Sequence, residues 1–132
     1  MTAGMVEMSP LQLTLPAEPA SVPTARRAVS DYAERTGVDV EAVAVAVSEA
    51  VTNAVLHGFS DGSDGHIVID ARLQDGTLTV LVSDDGRGMH PNPDSPGLGF
   101  GLPMLAALSD EMGIQPSPAG GTRVTMRFAA AA

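Results

Sequence analysis

Two runs of alternating apolar and polar residues, HIVIDARL (66–73) and TLTVLVSD (77–84), flank the tripeptide QDG. No other feature constrains the fold of this chain as tightly. Alternation with a period of two puts every second side chain on one face of an extended strand. A glycine-containing turn of this length closes two such strands into a hairpin. The two runs therefore predict an antiparallel hairpin.

The segments around the hairpin say what buries that face. LQLTLP (Leu11–Pro16) alternates and ends on proline, predicting a short strand. SVPTARRAVSDYAERTG follows as a helix, with Ser21 as its cap, Pro23 in its first turn and Gly37 closing it. Asp39 is positioned to cap a second helix running from Val40 to about His57. LPMLAALSDEMG reads as a third helix with Pro103 in its first turn, and GGTRVTMRFA as a final half-buried strand. The order strand, helix, helix, strand, strand, loop, helix, strand predicts an α+β two-layer sandwich, with a mixed or antiparallel sheet and helices on one face. With 132 residues and 44% hydrophobic content, the chain fits one domain over 1–132, with residues 1–9 disordered and 129–132 a tail.

Composition removes several function classes. The net charge of −9 opposes direct contact with nucleic acid or an anionic membrane. The absence of cysteine excludes disulfides and thiolate metal sites. No apolar run approaches the roughly 18 residues of a membrane span, and the N-terminus lacks the pattern of a secretory signal, so a cytoplasmic location is expected. All seven basic residues are arginine, which excludes a Walker-type phosphate loop with its obligatory lysine. An acidic chain that handles a polyphosphate needs positive charge from elsewhere, most simply a divalent cation.

The chemistry concentrates in four short stretches. In SEAVTNAVLHG (Ser48–Gly58), Glu49, Asn53 and His57 recur every four residues along an apolar helix. A carboxylate and an amide there cost free energy unless they are used. An amide oxygen at Asn53 suits Mg2+, and Glu49 one turn earlier suits a general base, although a solvated helix face is the alternative. SDDGRGM (Ser83–Met89) puts Asp84 at the end of a buried strand, where a carboxylate can accept from the exocyclic amine of adenine but not from guanine, which presents an oxygen there; an ordinary Asp-Gly turn is the alternative. GLGFGLPM (Gly97–Met104) is a glycine-rich turn entering a helix, an anion site by virtue of its backbone N–H groups. It is not the dinucleotide fingerprint, since position 102 is leucine and no strand precedes it. GGT (Gly120–Thr122) reads by itself as an ordinary entry to a strand.

In order and spacing, EAVTNAVLHG, DDGRGM, GLGFGLPM and GGT resemble the four ATP-site boxes of the GHKL superfamily, which includes gyrase, heat-shock chaperones, histidine kinases and MutL repair proteins. Within it the chain is similar to the bacterial anti-sigma factor serine/threonine kinases from about Leu11 to Phe128. The resemblance implies a general base at Glu49, a magnesium ligand at Asn53 and the adenine-reading carboxylate at Asp84. It implies that Gly86 and Gly88 line the base pocket, that Gly97, Gly99 and Gly101 touch the phosphates, that Met89, Leu98, Phe100 and Leu102 belong to the nucleotide-binding residues, and that Thr122 lies near the adenine. His57 matches a position whose role is structural, Arg87 is read as solvated, and His66 and His90 receive no role.

The implied activity is that of an ATP-dependent, magnesium-requiring kinase that sequesters a sigma factor and phosphorylates a serine on an anti-sigma antagonist of the STAS type. A homodimer through the first strand and helix is also implied. The segment between the two glycine boxes, HPNPDSP (90–96), is a short, proline-stiffened ATP lid. It keeps open an alternative: a nucleotide-gated binding module with little or no kinase activity.

Overall fold

The computed structural model describes residues 8–58, 65–86, 107–118 and 120–130, with only the backbone described at 57 and 58. Its elements are β1 (Leu11–Pro16), α1 (Ser21–Ala33), α2 (Val40–Asn53), a π-helical turn (Ala54–Gly58), β2 (His66–Gln74), β3 (Thr77–Asp84), β4 (Glu111–Pro116) and β5 (Thr122–Ala129). The five strands form one sheet in the order β1-β2-β3-β5-β4, and every neighbouring pair is antiparallel. The expected α+β sandwich is thus observed, and its sheet is wholly antiparallel.

The hairpin forms where the alternation predicts it. Asp75 and Gly76 both adopt positive φ, 51° and 76°, as the two central residues of a tight type I′ turn must. The turn sets the register Ile67↔Asp84 through Gln74↔Thr77, which puts Ile67, Ile69, Ala71, Leu78, Val80 and Val82 into the core. Strand β5 adds Val124, Met126 and Phe128 to the same layer.

Two helices cover this layer. In α1 the buried residues are Ser21, Ala25, Val29, Tyr32 and Ala33, one stripe at helical spacing. In α2 they are Val43, Ala46, Val47, Ala50, Val51 and, alone among polar residues, Asn53. Asp39 caps α2 as expected, its side chain accepting from the Ala42 N–H at 3.2 Å. Gly37 closes the connection before it, at φ 84°.

Four boundaries differ from the sequence expectation. Ser21 is the first helical residue rather than the cap; its hydroxyl donates to the Pro16 carbonyl at 2.6 Å and ties β1 to α1. The α-helical winding of α2 stops at Asn53 and gives way to the π turn, rather than continuing to His57. Ala129 belongs to β5 rather than to a tail: it pairs opposite Thr77 of β3, and its N–H donates to the Asp110 carboxylate at 2.6 Å. The predicted third helix does not extend to Gly113: Ala107 and Leu108 are helical, but Glu111–Pro116 is an edge strand paired with β5. Among the described residues no helix is long and apolar enough to cross a membrane.

Candidate nucleotide site

Helix α2, which carries Glu49 and Asn53, and the π turn after it both pack on β3, the strand that ends at Asp84. Glu49 is half-buried, and Asn53, one turn on, is 6% exposed. The switch to π winding follows Asn53 immediately. There the Ala54 N–H is shared between the Ala50 and Val51 carbonyls, and the i→i+5 rings that follow hold one residue more than α-helical rings. The even four-residue stacking read from the sequence therefore holds from Glu49 to Asn53 and is broken before His57, whose side chain lies outside the described residues.

Asp84 ends β3 with 6% of its surface exposed. Its Oδ1 accepts from the Gly86 N–H at 3.0 Å and from the Thr122 N–H at 3.4 Å. Both bonds fall on one oxygen, and Oδ2 carries no hydrogen bond among the described residues. Burial raises the pKa of Asp84 above its ordinary 3.8, outweighing the two backbone N–H groups that favour the carboxylate; the neighbouring Asp85 charge adds to the rise. A desolvated acceptor of this kind gains most from a ligand that donates to it.

Gly121 is the site residue that sequence reasoning passed over. A Cβ at this position would overlap the carbonyl oxygen, carbonyl carbon and Oδ1 of Asp84. The three residues of GGT thus have separate physical roles. Gly120 turns the chain at φ 104°, Gly121 lets the backbone pass against Asp84, and Thr122 delivers its N–H. The tripeptide marked the place, but only the approach of β5 to β3 shows why its second residue must be glycine. Gly121→Ala is accordingly expected to cost about 1–3 kcal/mol of overpacking and to weaken nucleotide binding with it. Urea unfolding and calorimetry on the same preparation check both effects.

The structure joins Asp84, Gly86 and Thr122 by hydrogen bonds, and places Glu49 and Asn53 one turn apart on α2, which packs on β3. Gly88, Met89, Gly97, Leu98, Gly99, Phe100, Gly101 and Leu102, together with Arg87 and the lid 90–96, lie outside the described residues. Among the described residues there is no group of three or more His, Cys, Asp or Glu side chains able to hold a metal by themselves.

A family model, the histidine kinase-like ATPase domain, matches residues 15–128. The chain belongs to this family. An anti-sigma F factor from Clostridium novyi (strain NT) is 31% identical over 100 residues, covering 67% of this chain and 70% of that one. A serine-protein kinase RsbW from Oceanobacillus iheyensis is 32% identical over 122 residues, covering 79% and 77%. In a crystal structure of the RsbU and RsbW domains of Rv1364c from Mycobacterium tuberculosis, the matched region superposes with a TM-score of 0.71 at 32% identity. It covers 95% of this chain and 34% of that longer one. The resemblance to anti-sigma serine kinases, the GHKL-type sandwich and the kinase-type use of ATP agree with these relatives and with the family.

Proposed function

We propose that this histidine kinase-like ATPase domain is an anti-sigma factor serine kinase. On this reading it sequesters a sigma factor and transfers the γ-phosphate of ATP to a serine of a STAS-type anti-sigma antagonist. The observation that carries the reading is Asp84: a buried carboxylate with one oxygen held by two backbone N–H groups and the other making no hydrogen bond among the described residues. It occurs in a family whose similar members are named anti-sigma F factor and serine-protein kinase.

The proposed roles follow from residue chemistry. Asp84 orients the nucleotide by accepting from the adenine amine, and Thr122 and Gly86 keep its carboxylate turned to do so. Gly121 admits the β5 backbone close to that carboxylate. Asn53 offers a carbonyl oxygen to Mg2+, and Glu49 accepts the proton of the attacking serine hydroxyl. Bound Mg2+ would supply positive charge against the phosphate oxygens, of which a chain of net charge −9 has little to spare. The new phosphate then adds negative charge to the antagonist's surface and releases it.

A single domain that pairs into a homodimer through β1 and α1 belongs to the same proposal; among the described residues β1 lies at the edge of the sheet, beside β2. Sedimentation of the purified chain tests the dimer. Asn53→Ala is expected to remove most of the difference between nucleotide affinity in Mg2+ and in EDTA, read by calorimetry. An unchanged difference assigns the metal to other ligands. The reading as a whole is tested by transfer of labelled γ-phosphate to candidate antagonist proteins. Label on an antagonist serine supports the kinase; bound ATP without transfer leaves a nucleotide-gated binding module.

A further inference from the structure

The paired register of β3 and β5 runs from Thr77↔Ala129 to Ser83↔Arg123 and stops there. Ser83 and Arg123 are thus the last facing pair before the nucleotide site. Residues directly opposite in an antiparallel pair project from the same face, and successive residues alternate faces. Asp84 lies opposite the core residue Ile67 and so belongs to the helix-covered side. Ser83 and Arg123 belong to the open side, where the Arg123 Nε donates to the Ser83 Oγ at 3.0 Å and Ser83 is nonetheless buried.

Beyond this rung the separation of the strands is confined from both directions. The Thr122 N–H reaches Asp84 Oδ1 at 3.4 Å, so a wider gap loses the bond. The Gly121 backbone already lies where no Cβ fits against Asp84, so a narrower gap is closed by contact. Each partner in the open-face hydrogen bond is the immediate chain neighbour of a partner in the helix-side one: Ser83 precedes Asp84, and Arg123 follows Thr122.

We propose that Ser83 and Arg123 are positioning residues for recognition of the nucleotide base, their cross-strand hydrogen bond holding β3 and β5 at the separation that orients the Asp84 carboxylate. The inference rests on the reading of Asp84 as the adenine acceptor. Neither residue touches the nucleotide; both act through the strand ends. Losing the bond therefore weakens the contact made by Asp84 and leaves contacts elsewhere on the nucleotide intact.

The test compares Mg·ATP with Mg·inosine triphosphate, which has an oxygen in place of the amine, by calorimetry on Ser83→Ala and Arg123→Met. Melting temperature is read without nucleotide. ATP affinity is expected to fall about three- to tenfold in either variant, with inosine triphosphate affinity and melting temperature little changed. Ser83→Thr, which keeps the hydroxyl, is expected to restore ATP affinity. Equal losses for both nucleotides, or no loss for ATP, overturn the proposal, and Arg123→Met decides the matter should Ser83→Ala fold poorly. Asp84→Asn in parallel separates the two levels. If it binds ATP like the parent, the adenine reading itself fails; if it loses ATP while Ser83→Ala does not, only the positioning role fails.

Discussion

Asp84→Asn is expected to lower ATP affinity by about two orders of magnitude or more while leaving the unliganded fold at least as stable at neutral pH. The amide keeps an oxygen for the Gly86 and Thr122 N–H groups, so the local backbone bonds survive. Its NH2 then takes the place of Oδ2 and sets donor against donor with the adenine amine. A site built around one buried hydrogen bond discriminates strongly when that bond is denied.

The stability half of this prediction comes from burial. Desolvation raises the pKa of Asp84 in the folded chain, so between 3.8 and the raised value the folded chain holds a proton that the unfolded chain has released. Stability from this group is therefore fully present below the unfolded pKa and is lost as pH rises through the folded one. Asparagine has no such loss. The variant's advantage in melting temperature is expected to vanish in acid and to reach its full size above the raised pKa. ATP affinity of the parent chain is expected to weaken over the same interval as pH falls, because the protonated carboxyl no longer offers two acceptor oxygens. Calorimetry and thermal melts across a pH series read both halves. A variant that melts well below its parent at pH 7 would show that the two backbone bonds require the charge.

Glu49→Ala is expected to separate binding from chemistry. Glu49 is half-buried on α2, one turn before Asn53 and outside the buried stripe of Val43, Ala46, Val47, Ala50 and Val51. Alanine is the best helix former, so α2 and its packing on β3 should persist. ATP affinity should stay near that of the parent, while phosphotransfer to an antagonist serine falls by about 10²- to 10⁴-fold, the usual contribution of a positioned general base. Labelled γ-phosphate transfer under single-turnover conditions measures this directly. A collapse of binding together with a loss of helicity would make Glu49 a structural residue, and the proton acceptor would have to be sought elsewhere.

The sequence by itself determined what depends on neighbours in the chain. Asp39 caps α2 because its side chain reaches an N–H three residues away, and Asp75–Gly76 closes the hairpin because both residues tolerate positive φ. The alternation in 66–73 and 77–84 assigned the faces of β2 and β3, and the embedded Glu49, Asn53 and Asp84 announced themselves as polar groups in apolar settings. Tertiary structure alone decided what depends on a partner brought in from far along the chain. Glu111–Pro116 has no alternating pattern, is mostly exposed, and becomes β4 because β5 offers it a ladder. Its six residues carry little periodic signal against the helical run before them, so the helix predicted from the sequence overruns the strand. The π turn after Asn53 has no composition of its own to betray it. Gly121 and the Ser83–Arg123 bond exist only because β5 lies beside β3. A sequence records which residue stands at 121, but steric exclusion by Asp84 arises only once 37 further residues have folded back across the strand end.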